Sequence, residues 1–386
     1  MNTQFNFAFF EILTNNRDDL LDGWQETATA EEQKEAFLQS TRMGWMPGVV
    51  KLASVVDHSV IDQGVTFAIA GKHFDVLKCL IPLAEPQHLA GDAIAYAVDQ
   101  NSIEAVQLLW PHTSQKTKDI ILAYSAKRGN MDIVNVLWPE CGVIAICQAL
   151  TEAAGEGHTN IVSHLSPLCN FKHAYNPALI SAAQGGWLDT VDFLMRLCDQ
   201  NAINQAFNAA AEEGYIDVVE QLLPHSDPSN NDSAALRSAA ENGFVDCVKL
   251  LIPLSDPLSK ASWALRKAAE KGHVECVKLL LPVSDPRANS SDALYEALVN
   301  GHMECAEVLG LVSDVQAVMM QFEDNENSYD IYDDDEPEYN YDAVTAFLDN
   351  MVVRQQRKLL ETHIAKRRTE LGLGSELNTE MAPRKL

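Results

Sequence analysis

"GHVECVKLLLPVSDP" runs from Gly272 to Pro286, and one step earlier "GFVDCVKLLIPLSDP" runs from Gly243 to Pro257. A weaker echo, "GHMECAEVL", starts at Gly301. Such near-copies are either a duplicated chemical signature or a structural building block, and the spacing decides between them. With Gly272 as anchor, equivalent positions fall at Gly44, Lys72, Asn101, Gly129, Gly157, Gly186, Gly214, Gly243 and Gly301, each step 28 or 29 residues. A fixed period of this size marks a solenoid of stacked units.

Each unit reads as helix, turn, helix, loop. "ALRKAAEKG" (Ala264–Gly272), "ALRSAAENG" (Ala235–Gly243) and "AFNAAAEEG" (Ala206–Gly214) place a large apolar residue and two alanines on one helical face, with the helix starting about eight residues before the anchor. Alanines let neighbouring helices approach closely. The anchor glycine supplies the positive φ that ends a helix. At Lys72 and Asn101 the turn must be made differently: Asn tolerates the left-handed region, Lys less well, and Gly71 stands ready beside Lys72. A second helix follows, as in "VECVKLLL", with a buried stripe of valines and leucines. Proline then stops it at Pro82, Pro111, Pro139, Pro167, Pro224, Pro253 and Pro282, because it lacks an N–H and clashes with the preceding turn. "SDP" marks the turn into the next unit.

These residues resemble the ankyrin repeat family. The likeness rests on Leu265, the pair Ala268 and Ala269, the turn Gly272-His273 and the apolar run Val277 to Leu281, and it extends over roughly 36–311. Two departures stand out. Trp263-Ala264-Leu265-Arg266 occupies the place of the family's Thr-Pro-Leu-His start, and the unit is about four residues shorter than the family's roughly 33. The missing residues belong to the loop, so the projecting finger is expected to shrink to a tight turn. The fold class is then all-α: an ankyrin-like helix-turn-helix solenoid of about ten repeats with terminal capping helices.

The periodicity also decides the function class. His158, His273 and His302 sit beside the anchors, where a repeated position means turn structure and not catalysis. Asp217, Asp246, Glu275 and Glu304 begin second helices, where they complement the positive helix end. No P-loop, dinucleotide loop, nucleophile elbow or HExxH motif occurs. Cys247, Cys276 and Cys305 are 29 residues apart, the repeat period. Equivalent helices stack roughly 8–10 Å apart, beyond the roughly 7 Å a disulfide allows, so these are reduced core residues. No metal ligand set and no cofactor site is expected.

The net charge of −27 repels nucleic acid and anionic membranes, so the expected partner is a neutral or basic protein, bound by a monomer. No apolar run is long enough to span a membrane. The start, "MNTQFNFAFFEIL", lacks the basic flank and cleavage site of a signal peptide and is read as structure. The localisation expected is cytoplasmic, with export as an effector into a host cell a further possibility.

Residues 1–30 are expected to cap the first unit, since a terminal repeat exposes an apolar face, and 31–322 to form the solenoid. Residues 323–340, with nine acids in eighteen, read as an acidic disordered linker. Within it "EPEY" (Glu336–Tyr339) is similar to a Glu-Pro-Ile-Tyr-Ala phosphorylation motif of some bacterial effectors, and acidic residues surround Tyr329, Tyr332 and Tyr341. Residues 341–372 read as an amphipathic helix whose apolar stripe is Val344, Phe347, Leu348, Met351 and Val352 and whose second half is basic. It either packs back on the acidic repeats or serves as a nuclear-targeting or phosphate-binding patch. Residues 373–386 read as a disordered tail.

The leading functional reading is a non-enzymatic protein-binding scaffold that recognises its partner on the concave face of the solenoid. The alternatives are a secreted bacterial or viral effector on the same scaffold, or a modifier with its activity in the C-terminal segment. Positions five and six before each anchor vary freely while their neighbours stay apolar or small, so they are the recognition candidates. They are Phe67, Tyr96 and Tyr124 in early units, Glu152, Ser181 and Asn208 in the middle, and Arg237, Arg266, Lys267 and Tyr295 in late units.

Overall fold

The computed structural model describes residues 7–169, 174–328 and 341–370. No strand occurs among the described residues, and helices pair along the chain as the period requires. The chain divides into two compact units, Met1–Ala206 and Phe207–Leu386, and the cut falls inside the helix Gln200–Glu213.

The first unit opens with the helices Phe7–Thr14 and Leu21–Thr27. Phe9 is buried against Trp24, ring centroids 4.9 Å apart, and Trp45, at 6.1 Å; the Trp45 indole donates to Asn16 Oδ1 at 2.7 Å. The first repeat helix, Ala30–Met43, begins at a capping box: the Glu32 carboxylate accepts from the Thr29 N–H, and Thr29 Oγ1 from the Glu32 N–H. Five more helix pairs follow. In each, the first helix buries the trio of apolar or small residues expected of it, as in Ile94, Ala97 and Val98, or Leu122, Ser125 and Ala126, and the second helix buries a stripe with valine and leucine.

All ten anchors have positive φ, from 46° at Asn101 to 78° at Gly214. At Lys72 the expectation of help from Gly71 fails: Gly71 has φ −79°, and Lys72 itself takes the left-handed conformation at φ 56°. Gly71 is glycine for another reason. The His73 ring lies against it, and a Cβ there would come 2.5 Å from that ring.

In the second unit the pairs run from Ile216–Leu222 to Met303–Gly310, then Val315–Ser328 and Tyr341–Glu370. The first helices start slightly earlier than the sequence suggested. Right-handed helix begins at Ala234, Trp263 and Asp292, after three left-handed residues each time: Asn231–Ser233, Lys260–Ser262 and Asn289–Ser291. The third of each set is a buried serine. Its hydroxyl oxygen accepts a backbone N–H from the next repeat's loop: Asp256 to Ser233 at 2.9 Å, Asp285 to Ser262 at 2.8 Å and Asp314 to Ser291 at 2.7 Å. The shortened loop is thus tied down by one hydrogen bond per repeat. The SDP aspartates close local turns, Asp256 Oδ1 accepting from the Leu258 N–H and Asp285 Oδ1 from that of Arg287.

The repeat cysteines are free, and burial pushes Cys247, Cys276 and Cys305 up to a pKa of about 11, so they stay protonated core residues. The helix Val315–Ser328 runs six residues into the stretch expected to be disordered, anchored by buried Val315, Val318 and Phe322. Residues 329–340, with Tyr329, Tyr332 and the EPEY motif, lie outside the described residues, as do 371–386 with the expected tail.

Candidate interaction surface

The anchor turn carries a contact that single-unit reading missed. In six units the residue after the anchor lays its ring on the anchor glycine of the preceding repeat. His73 covers Gly44, His158 covers Gly129, Trp187 covers Gly157, Phe244 covers Gly214, His273 covers Gly243 and His302 covers Gly272. Four of these rings also donate an N–H to the carbonyl two residues before the covered glycine: His73 to Arg42 at 2.9 Å, His158 to Lys127 at 3.0 Å, Trp187 to Gly155 at 2.7 Å and His273 to Glu241 at 3.0 Å. These bonds place the proton on Nε2 of the three histidines. The histidines are stitches between repeats, as their periodic position implied. The signal lay in the sequence one period apart: the non-glycine anchors Lys72 and Asn101 are followed a repeat later by ringless Ser102 and Asn130.

The candidates five and six before the anchors are half-buried in both units, with the apolar neighbours beneath them fully buried. In the first unit the Arg42 guanidinium sits 4.0 Å over the Phe67 ring. Tyr124 donates its hydroxyl to Asp99 at 2.7 Å, and Arg128 pairs with the same carboxylate at 3.0 Å. The hydrogen bond to Asp99 raises the Tyr124 pKa above that of an ordinary phenol. Glu152 pairs with Lys127 at 3.5 Å. Tyr96 and Ser181 complete this part of the row, half-buried.

In the second unit the row gathers around Trp263. Arg266 stacks 4.5 Å from its ring centre, Lys267 stands at 5.5 Å and Arg237 at 5.9 Å. Arg266 also bonds Asp292 at 2.6 Å, with both side chains largely covered. Lys267 reaches Glu270 at 2.7 Å and Glu241 at 3.7 Å. Arg237 donates to the Asn231 carbonyl at 2.9 Å, holding the left-handed turn. Tyr295 stacks on Phe322 at 4.8 Å, and Asn208 is half-buried.

Electrostatics follow from this crowding. The hydrogen bond to Glu270 raises the Lys267 pKa. Burial works to raise Glu270, but hydrogen bonds from Lys267 and Lys271 outweigh it and hold the carboxyl low. Glu296 is raised, first by burial and then by its neighbours Glu270 and Asp292.

Every sequence-derived candidate therefore lies on one helical face of its unit, but most are engaged by a neighbouring repeat instead of standing free. The partners Arg42–Phe67, Asp99–Tyr124, Lys127–Glu152, Glu241–Lys267 and Arg266–Asp292 are separated by 25 or 26 residues, one period less three or four. Trp263 itself, the hub of the late cluster, falls nine before its anchor, a turn outside the variable positions five and six before it.

The family model for ankyrin repeats matches three overlapping stretches, 150–233, 179–262 and 236–317. Residues 150–317 are ankyrin repeats, and the same turn and ring contacts carry the pattern back to Gly44 within the first unit. No curated protein matches the chain. Repeats of this family are protein–protein interaction modules. No helix among the described residues is long and apolar enough to cross a membrane, and those residues contain no group of three or more His, Cys, Asp or Glu side chains placed to hold a metal.

Proposed function

We propose that the chain is a non-enzymatic protein-binding scaffold that recognises one partner protein through the first-helix row. The observation that carries this is the contrast within single helices. Leu265, Ala268 and Ala269 are fully buried and repeat almost unchanged, whereas Trp263 and Lys267 beside them differ from their counterparts in other units, and Arg266 is shared with Arg237 but replaced by Asn208 and Tyr295 in the units on either side of that pair. Packing dictates the first set and leaves the second to recognition. Trp and Arg held rigid by neighbours are the usual anchors of an interface, because little side-chain entropy remains to be lost on binding. The row mixes cations, carboxylates and aromatic rings, which suits a partner presenting both charges around an apolar centre. The net charge of −27 biases the encounter toward a neutral or basic protein. In this reading the helices of residues 1–30 cap the repeats, the protein acts as a monomer and its setting is cytoplasmic.

The test compares partners retained by the full chain, by Trp263→Ala/Arg266→Ala and by the second-helix variant Lys249→Ala/Lys278→Ala, followed by titration of the purified partner. Loss with the first variant and retention with the second supports the row. Retention by the row variant together with loss by the second-helix variant sinks it.

A further inference from the structure

The helix Tyr341–Glu370 has thirty residues, and only its first half touches the repeats. Val344, Leu348 and Met351 are buried, Met351 lies against Gly310, and the Gln355 amide donates to the Gly310 and Ser313 carbonyls at 2.7 and 2.9 Å. These four share one face. The helix packs back on the repeats through this first half alone: every residue from Gln356 to Glu370 is exposed. At about 1.5 Å per residue that is roughly 22 Å of bare helix.

This bare half is not uniformly polar. Leu360 is 61% and Ile364 44% exposed, and Val353, 64% exposed, lies one heptad before Leu360. Spacings of seven and four put the three on one face, about half a turn from the face that packs on the repeats. Residues 354–370 hold six Lys and Arg against two Glu; Arg357, Arg367 and Arg368 stand near this seam, and Arg357 also pairs with Glu361 at 3.1 Å in its exposed flank. A chain whose net charge is −27 therefore presents, on a lever anchored at Gln355, an apolar seam edged with cations.

We propose that this free half is a docking face for an acidic amphipathic helix of another protein, seated along Val353, Leu360 and Ile364 with its carboxylates against the arginines. Anchors at i, i+7 and i+11 are the pattern by which one helix reads another. Charge selects the occupant. A second copy of this chain would set Arg357 and Arg367 against their own kind within the seam. An anionic membrane would draw in the helix but repel the acidic body locked to it within a helix length. An acidic helix gains both the apolar contact and the charge pairs.

The experiment titrates the full chain with a fluorescent synthetic four-heptad peptide, leucine at its core positions and glutamate at its flanks. Controls are the lysine-flanked counterpart and vesicles of phosphatidylcholine and phosphatidylserine at seven to three. The acidic peptide binds, and its affinity falls at least about tenfold with Leu360→Glu, with Arg357→Glu/Arg367→Glu, or on raising the salt. The lysine peptide does not bind. All substituted residues are solvent-exposed, and an unchanged melting curve verifies the fold. No binding of the acidic peptide, or binding indifferent to these substitutions, overturns the proposal. Vesicle binding lost with Leu360→Glu assigns the face to membranes, and a Leu360-dependent dimer in sedimentation assigns it to a second copy; either also overturns it.

Discussion

At Lys72 the chain makes the same left-handed turn as at Gly243, although a side chain outside glycine costs about 1–2 kcal/mol there. The two junctions differ in what arrives from the next repeat. His273 lays its ring on Gly243 and donates to the Glu241 carbonyl at 3.0 Å, whereas small, buried Ser102 follows Lys72. The turn alone tolerates lysine. The ring does not, because a Cβ at Gly243 would lie 2.5 Å from His273 Nδ1. Glycine at these anchors is therefore required twice, by its own φ and by a neighbour one period later.

The hydrophobic layer under both junctions is alike, which sets the largest expected effect. Leu265 and its counterpart Ile94 are both fully buried. Leu265→Asp and Ile94→Asp should each destabilise by more than about 3 kcal/mol, since each buries an unpaired charge. Chemical denaturation measures both. A loss at Leu265 but not at Ile94 would show that the junctions differ in their core and not only in the turn.

The turn itself comes next. Gly243→Lys copies Lys72 into a junction with a ring, adding conformational strain and expelling His273 from its seat. A loss of about 2–3 kcal/mol is expected. The pair Gly243→Lys/His273→Ser copies the Lys72–Ser102 junction whole and should recover about 1 kcal/mol of that loss. Simple additivity in this double-mutant cycle would refute the coupling.

How much of this was legible in the sequence depends on the range of the interaction. Within one unit, 3.6-residue periodicity, the glycine and the proline specified helix, turn and stop, and the structure follows them. The row of candidates was legible for the same reason, since apolar neighbours betray the face they leave open. What lay hidden crosses between units. The Arg266–Asp292 bond and the ring seat of His273 join residues 26 to 30 apart. They appear only when one repeat is written beside the next, because helix stacking and not chain proximity brings them together. The left-handed turns at Asn231–Ser233 and its two counterparts were unreadable in principle from propensity: no glycine marks them, and a tertiary hydrogen bond to a serine holds each one.

The reverse exchange should gain stability. Lys72→Gly relieves the left-handed strain, and Ser102→His then adds a ring that can sit on the new glycine and donate to the Ala70 carbonyl. Ser102 has a buried hydroxyl without a hydrogen-bond partner in the protein, so little is lost by replacing it. Together the two changes should stabilise by about 1 kcal/mol. A thermal midpoint no higher than that of the parent would mean that the space over residue 72 is too tight for a ring, and that small Ser102 answers a steric limit and not the missing glycine.

The smallest effect separates the two parts of the recognition row. In the first unit Glu152 is matched by Lys127, whereas in the second Glu296 faces Glu270 and Asp292 and has a raised pKa, from burial first and then from those carboxylates. For an acid raised in the folded state, ionisation costs stability. The penalty is absent below the ordinary glutamate pKa, where both folded and unfolded chains are protonated. It grows as pH rises past that value and is complete above the folded pKa. Glu296→Gln removes it, so the variant should be more stable than the parent at neutral pH and lose that advantage near pH 4. Because Glu296 is only partly buried, the gain should be a few tenths of a kcal/mol. Glu152→Gln should show the opposite sign or nothing. Matched denaturation curves at the two pH values decide it: equal behaviour of the two substitutions would show that Glu270, Asp292 and Glu296 do not repel one another enough to matter, and that the late row is balanced in charge like the early one.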